Sequence, residues 1–252
     1  MALKKALDRL FAAAGYKAFN TKKFFAQDGL YTLHNDHFRR DPAFQNAYAR
    51  GVKASWGVDA HIEWRVHIAL WAAKLAFKVT GDFVECGVNA GFISSALMQG
   101  LDWNSTGRRC FLIDTFAGPV AEQYTKAEVD GGRLRIAEEA RAAGAYVTDL
   151  DRVRRNYAEW RGAKVVQGAV PDVLFSLDIA SAAFLHIDMN CSYPETEALK
   201  FFWPRIPPGG VVLLDDYGYL GHEEQANAMD EAASGLGAEI LSLPTGQGLL
   251  IK

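Results

Sequence analysis

From Asp82 onward, short apolar runs alternate with helix-like stretches, and this alternation constrains the chain more than any other feature. The runs are Phe83–Cys86, Cys110–Ile113, Lys164–Val166, Ala183–Ile187 and Val211–Leu214. Between them lie Phe92–Leu101, Ala121–Ala143, Leu150–Trp160 and Pro194–Trp203, each with helical character. Strands that are apolar on both faces and separated by helices belong to a parallel sheet covered on both sides. The end of the chain differs. Ala238–Leu243 and Gly248–Ile251 are joined by Pro244-Thr245-Gly246-Gln247, a turn too short for a crossover, so the last pair is antiparallel. The expectation is an α/β fold with a doubly wound, mostly parallel, seven-stranded sheet and an antiparallel last strand.

The first 80 residues read differently. Leu3, Leu7, Leu10, Phe11 and Ala14 share a helical face that Gly15 ends, and Ile62, Val66, Ala69, Leu70, Ala73 and Phe77 share another. Ile68 and Leu75 lie off that second face, which predicts a well-buried helix. Residues 1–80 are therefore expected to form a helical extension or lid, and residues 81–252 the main domain. Charge divides at the same place. Residues 1–81 carry 13 Lys and Arg against 6 Asp and Glu, whereas the whole chain is -3. The basic excess reads as a solvated face, or as a lid meeting an anionic substrate. It is too scattered for a nucleic-acid stripe.

With 50% hydrophobic and 23% charged residues, the 252-residue chain can build a large core, which excludes global disorder. The longest apolar stretch, Ile68 to Phe77, is interrupted by Lys74 and is far shorter than the roughly 20 residues of a membrane span. Lys, Asp and Arg interrupt the first apolar run, unlike a secretory signal. Cys86, Cys110 and Cys191 stand far apart without zinc-site spacing. Together these features predict a cytoplasmic protein with buried thiols.

Ligands of open parallel sheets bind beyond the carboxyl ends of the strands. The first run leads into Glu85-Cys86-Gly87-Val88-Asn89-Ala90-Gly91 and a helix, a turn that lets backbone approach a ligand at a helix N-terminus. Its G-x-x-x-G spacing is not the G-x-G-x-x-G of dinucleotide sites, and a plain tight turn is the alternative. The second run ends Asp114-Thr115-Phe116. There an acid can accept from both hydroxyls of a ribose, and Phe116 can pack on an adenine; the alternative for Asp114 is a helix N-cap. The later runs end Asp188-Met189-Asn190 and Asp215-Asp216. If these two strands are neighbours, three carboxylates converge, and such a group repels itself unless a cation holds it. All-oxygen ligation suits a hard divalent ion, magnesium first. The alternative is that Asp215 or Asp216 caps the next helix.

Taken in order, FVECGVNAGFISSALM, FLIDTFAG, LHIDMN and PRIPPGGVVLLDDYG resemble class I S-adenosylmethionine-dependent methyltransferases, and more narrowly the macrocin O-methyltransferase (TylF-type) family. The resemblance runs from about Asp82 to Lys252. It implies a Rossmann-like methyltransferase domain and metal-dependent transfer of a methyl group to a hydroxyl of a small molecule, often a sugar. Glu85 and Gly87 match the first cofactor motif and Asp114 the ribose-binding acid; Gly91, Thr115 and Phe116 complete the expected cofactor set, and the fold puts Gly168 and Ala169, after the third strand, at an adenine edge. Asp188, Asp215 and Asp216 match the metal ligands. One position departs. The family often shows Asp-x-Asp where this chain has Asp188-Met189-Asn190, and Asn190 cannot take a proton. The catalytic set is therefore Asp188, Asn190 as an orienting group, and His222 as the candidate base. His186 reads as a supporting core histidine, Trp56, Trp64 and Trp71 as packing residues, and Ser192-x-x-Glu195 as a capping box. A small-molecule acceptor is the expected partner, with neither nucleic acid nor membrane, and the extension offers a surface for self-association. A cofactor-binding protein without turnover and a nicotinamide-dependent oxidoreductase are the competing readings.

Overall fold

In the computed structural model, residues 2–16 and 24–252 are described. Met1 and residues 17–23 of the expected extension, and the side chain of Leu3, lie outside the described part. The chain divides into two compact units, Met1–His37 and Phe38–Lys252. The first contains helix α1 (Ala2–Ala13) and a hairpin of β1 (Phe25–Gln27) and β2 (Leu30–Thr32).

The second unit is built on one sheet. Its strands are β3 (Asp82–Cys86), β4 (Cys110–Asp114), β5 (Ala163–Gln167), β6 (Ala182–Ile187), β7 (Val211–Leu214), β8 (Leu241–Ser242) and β9 (Gly248–Ile251). They lie in the order β5-β4-β3-β6-β7-β9-β8. All neighbours from β5 to β7 are parallel; β9 runs antiparallel to β7, and β8 antiparallel to β9. The doubly wound, seven-stranded, Rossmann-like architecture is the one expected. The order reverses beside β3, so the β3, β4 and β6 ends open onto one crevice.

Helices α2 (Pro42–Ala54), α3 (Glu63–Ala76), α4 (Phe92–Gly100), the short α5 (Trp103–Thr106) and α8 (Leu150–Tyr157) contribute to the core on one face. Helices α9 (Ser192–Phe202) and α10 (Glu223–Gly235) cover the other. Side chains alternate along each strand: Phe83, Phe184 and Leu213 enter the first core, whereas Val84, Leu185 and Val212 enter the second. The buried stripe of α3 is Val66, Ala69, Leu70 and Ala73, as its period predicts, while Trp71 is exposed.

Two local expectations are corrected. The stretch Ala121–Ala143 is not one helix but a 3-10 turn (Ala121–Gln123), α6 (Lys126–Asp130) and α7 (Arg133–Ala142). Thr125 and Glu128 form a reciprocal capping box, and Gly132 lies at φ +81° between α6 and α7, so two helix starts replace a helix interior. Ser192 does not cap α9. Cys191 holds that position, and Glu195 instead accepts from the backbone N–H groups of Met189 and Asn190 at 2.8 and 2.9 Å. All three cysteines are free and buried. Among the described residues, no helix is long and apolar enough to cross a membrane.

Candidate functional site

The crevice at the strand ends is a cleft of about 760 Å³, open mouth included. Gly87, Asp114, Thr115, Gly168, Asp188 and Asn190 line it, together with Asn89, Gln123, Tyr124, Tyr146 and Cys191. Gly87 has φ +90°, and a Cβ there would stand 1.6 Å from the carbonyl oxygen of Asp188. Two chain segments meet here with room for hydrogen only.

Asp114 organises the glycine turn. Its Oδ2 accepts from Val88 N and Asn89 N, both at 2.8 Å, and its Oδ1 accepts from Phe116 N at 2.7 Å. The Thr115 hydroxyl is a fourth, long contact at 3.5 Å from Oδ1; it also donates to Gly118 O at 2.9 Å. Part of the predicted cofactor set is elsewhere. Phe116 is buried in the core, and Ala169 is not among the lining residues. Gly91 packs against the Tyr157 hydroxyl rather than the cleft. Glu85 shares the face of Phe83, under the cleft floor, where its Oε1 accepts from His186 Nδ1 at 2.9 Å.

The register explains that pair. Glu85 lies opposite His186 across β3 and β6, and Asp215 follows two residues beyond Leu213, the β7 partner of His186. His186 Nε2 stands 3.6 Å from Asp215 Oδ1. Burial alone would push the His186 pKa down, but the flanking Asp215 and Glu85 carboxylates outweigh it and hold the imidazolium up to about 10. Asp215 is fixed further by Gln247 Nε2 at 3.1 Å and by Arg65 of α3, whose Nη1 lies 2.5 Å from Oδ2. The same Nη1 is 2.9 Å from Asp216 Oδ1. Burial would raise the Asp215 carboxyl, but Arg65 and His186 hold it well below the usual range.

The three predicted aspartates meet. One carboxylate oxygen from each of Asp188, Asp215 and Asp216 lies within 4.8 Å of the others. Asp188 is pushed well above its ordinary pKa by burial and by the other two carboxylates, and Asp216 is raised by burial and Asp215. With every carboxyl ionised and His186 protonated, the linked series Glu85, His186, Asp215, Arg65, Asp216 and Asp188 sums to two negative charges. That deficit and three convergent hard oxygens fit one dication.

Asn190, at φ +57°, donates from Nδ2 to Asp188 Oδ1 at 3.2 Å. His222 precedes α10 with its Nδ1 3.0 Å from Gln225 Oε1. Burial lowers its pKa more than the nearby Asp216 raises it, which leaves a neutral imidazole at pH 7. Arg65, Glu195 and the cleft tyrosines Tyr124 and Tyr146 were not anticipated. Glu195 gave a signal in its Ser-x-x-Glu spacing, but Arg65 gave none, being one arginine on a helix 150 residues from its partners.

The chain is similar to known methyltransferases in sequence and in fold. A model described as a methyltransferase domain matches residues 84–217, more than half of the chain. The chain is 30% identical over 149 residues to the 8-demethyl-8-(2,3-dimethoxy-alpha-L-rhamnosyl)-tetracenomycin-C 4'-O-methyltransferase of Streptomyces olivaceus, covering 57% of this chain. It spans about half, 55%, of that relative's length. In fold it is similar to the O-methyltransferase NovP (TM-score 0.62, 22% identity, 75% of this chain and 79% of that one). It is also similar to the calicheamicin methyltransferase CalS11 (TM-score 0.57, 14% identity, 93% and 97%).

Proposed function

Because the chain belongs to the methyltransferase-domain family, we propose that it is a divalent-metal-dependent O-methyltransferase that moves the methyl of S-adenosylmethionine to a hydroxyl of a small molecule. The observation that carries this reading is the juxtaposition at the sheet edge. The glycine turn clamped by Asp114 lines the cleft together with Asp188, and Asp215 and Asp216 each bring a carboxylate oxygen within 4.8 Å of that of Asp188. A sugar or sugar-bearing natural product is the acceptor class we favour, supported by the rhamnosyl substrate named for the curated relative.

In this reading Gly87, Asp114, Thr115 and Gly168 hold the cofactor, and Asp188, Asp215 and Asp216 hold the ion, magnesium or manganese. When bound, a divalent ion fixes an acceptor hydroxyl and lowers its pKa. Asn190 orients that hydroxyl through its side-chain amide. His222, neutral near Asp216, takes the proton; base catalysis of this kind typically contributes ~10²–10⁴-fold. Tyr124 and Tyr146 wall the acceptor side, and residues 1–80 act as the extension ahead of the domain. Glu85 and His186 hold Asp215 from below. The cytoplasm is the compartment that three buried free thiols favour.

The test separates metal from cofactor. Asp188→Asn keeps the shape of the triad but removes one charge. Calorimetry should show S-adenosylmethionine affinity within about threefold of wild type and loss of Mn²⁺ and Mg²⁺ binding, with methyl transfer to a panel of rhamnosides abolished. Full transfer by this variant in the presence of chelator would sink the metal role. Hydride exchange with a nicotinamide cofactor would instead favour the oxidoreductase reading.

A further inference from the structure

Arg65 is the feature of the site that the proposed chemistry does not use. It lies in the first turn of α3, buried, with its guanidinium 4.7 Å from the centre of the Tyr219 ring. A single nitrogen, Nη1, reaches both Asp215 and Asp216. An arginine does not lose its proton in a protein, so this cation is permanent. Its two acceptors belong to two of the three carboxylates that converge. A dication seated on those oxygens, at the ~2.0–2.6 Å typical of oxygen ligands, would stand within a few ångströms of the guanidinium. At that range in a buried site, like charges repel strongly.

Resting on the metal-dependent reading above, we infer that Arg65 is a built-in counter-cation that competes with the divalent ion for Asp215 and Asp216 and so sets the affinity of the site. Without an ion, Arg65 offsets one of three crowded negative charges and lets the triad stay assembled. With an ion, it moves back or tolerates the repulsion, and either outcome weakens binding and keeps the ion exchangeable. Its removal should not dismantle the ligand set. Asp215 keeps Gln247 at 3.1 Å and His186 at 3.6 Å. Asp188 keeps Asn190. The charge changes while Asp215 and Asp188 keep these partners; Asp216 gives up its hydrogen bond from Arg65.

The experiment titrates MnCl₂ and then MgCl₂ into the full chain by calorimetry, for wild type, Arg65→Gln and Arg65→Lys. Arg65→Gln should bind Mn²⁺ at least tenfold more tightly, about 1.4 kcal/mol, and show a larger Mn²⁺-induced rise in Tm. Arg65→Lys, which keeps the charge, should stay near wild type. Equal or weaker binding by Arg65→Gln while wild type binds overturns the counter-cation role and leaves the metal reading standing. If neither protein takes up Mn²⁺ or Mg²⁺, the metal reading falls and takes this inference with it. Should Arg65→Gln fail to fold, wild-type protein labelled with ¹³C at arginine Cζ decides the matter. The Arg65 resonance, assigned by its loss in Arg65→Lys, should shift as Mg²⁺ saturates the site, and a stationary resonance overturns the inference.

Discussion

Asn190 shows how one atom alters the electrostatics of the triad. Its Nδ2 donates to Asp188 Oδ1, so the residue adjoining the three carboxylates is a neutral donor rather than a fourth acid. Asn190→Asp replaces that donor with an anion facing Asp188 at about the same 3.2 Å. The left-handed backbone tolerates either residue. In metal-free protein, the lost hydrogen bond and the added repulsion should cost about 1 kcal/mol or more. For a domain of this size, each such kcal/mol lowers Tm by about 2–4 °C. With Mn²⁺ present, the fourth carboxylate should reverse the sign and make the ion-induced rise in Tm larger than in wild type. Scanning fluorimetry with and without MnCl₂ checks both halves. A variant as stable as wild type without metal would mean that Asn190 contributes no electrostatic relief. The identity of residue 190 was legible in the sequence; its hydrogen bond to Asp188 was not, because it depends on the turn that Glu195 holds from beneath.

At the level of elements, strands were legible and side-chain direction was only half so. Runs such as Ala182–Ile187 are buried on both faces, so the apolar signal is continuous and hard to miss. The motif around Glu85 was equally visible, but a motif does not say which way a side chain points. The pleat does: Glu85 is two residues from Phe83 and shares its face, toward α3 and α4 rather than the cleft. That period was available in the sequence, whereas the register pairing Glu85 with His186 was not. Helix ends behave similarly. The break of Ala121–Ala143 was written in Thr125-x-x-Glu128 and Gly131-Gly132, yet helix formers on either side masked it. The junction between β3 and β6 yields a prediction. Gly87 N donates to Ile113 O at 2.8 Å, Asp188 N donates to Cys86 O at 2.8 Å, and a Cβ on Gly87 would strike Asp188 O. Gly87→Ala must push the β6 end and the first triad ligand away, and should cost more than about 3 kcal/mol. Gly107 is the control, because it also has positive φ (+68°) but open space around its Cβ position. Gly107→Ala should cost only the backbone term, about 1–2 kcal/mol. Urea unfolding measures both, and comparable losses would show that strain at φ, not the contact with Asp188, governs Gly87.

At the largest scale, one chain of charges ties α3 to the sheet. Glu85 on β3, His186 on β6, Asp215 after β7 and Arg65 on α3 are linked in sequence, so ionisation at the centre is felt by four elements. His186 makes this measurable. Its folded pKa of about 10 lies above the ~6.5 of an unfolded histidine, so the folded state binds its proton more tightly. The stability this contributes is fully present below pH ~6.5, declines as pH rises, and is lost above about 10. Asp188 and Asp216 act in the same direction: their carboxyls are raised in the fold, and ionising them together as pH rises costs stability. Asp215 acts oppositely, because its lowered carboxyl contributes stability above pH ~4 that is lost on acidification. Burial also raises Glu195 to about 8, so metal-free protein should be most stable near pH ~4 and lose Tm steadily toward pH 10. His186→Gln removes the imidazolium but leaves the two raised aspartates, so its Tm should start lower at pH 6 and fall less steeply to pH 10. Calorimetric scans of both proteins across this range supply the slopes. Parallel slopes would mean that His186 is already neutral in the fold, and that the buried pair with Glu85 is a plain hydrogen bond.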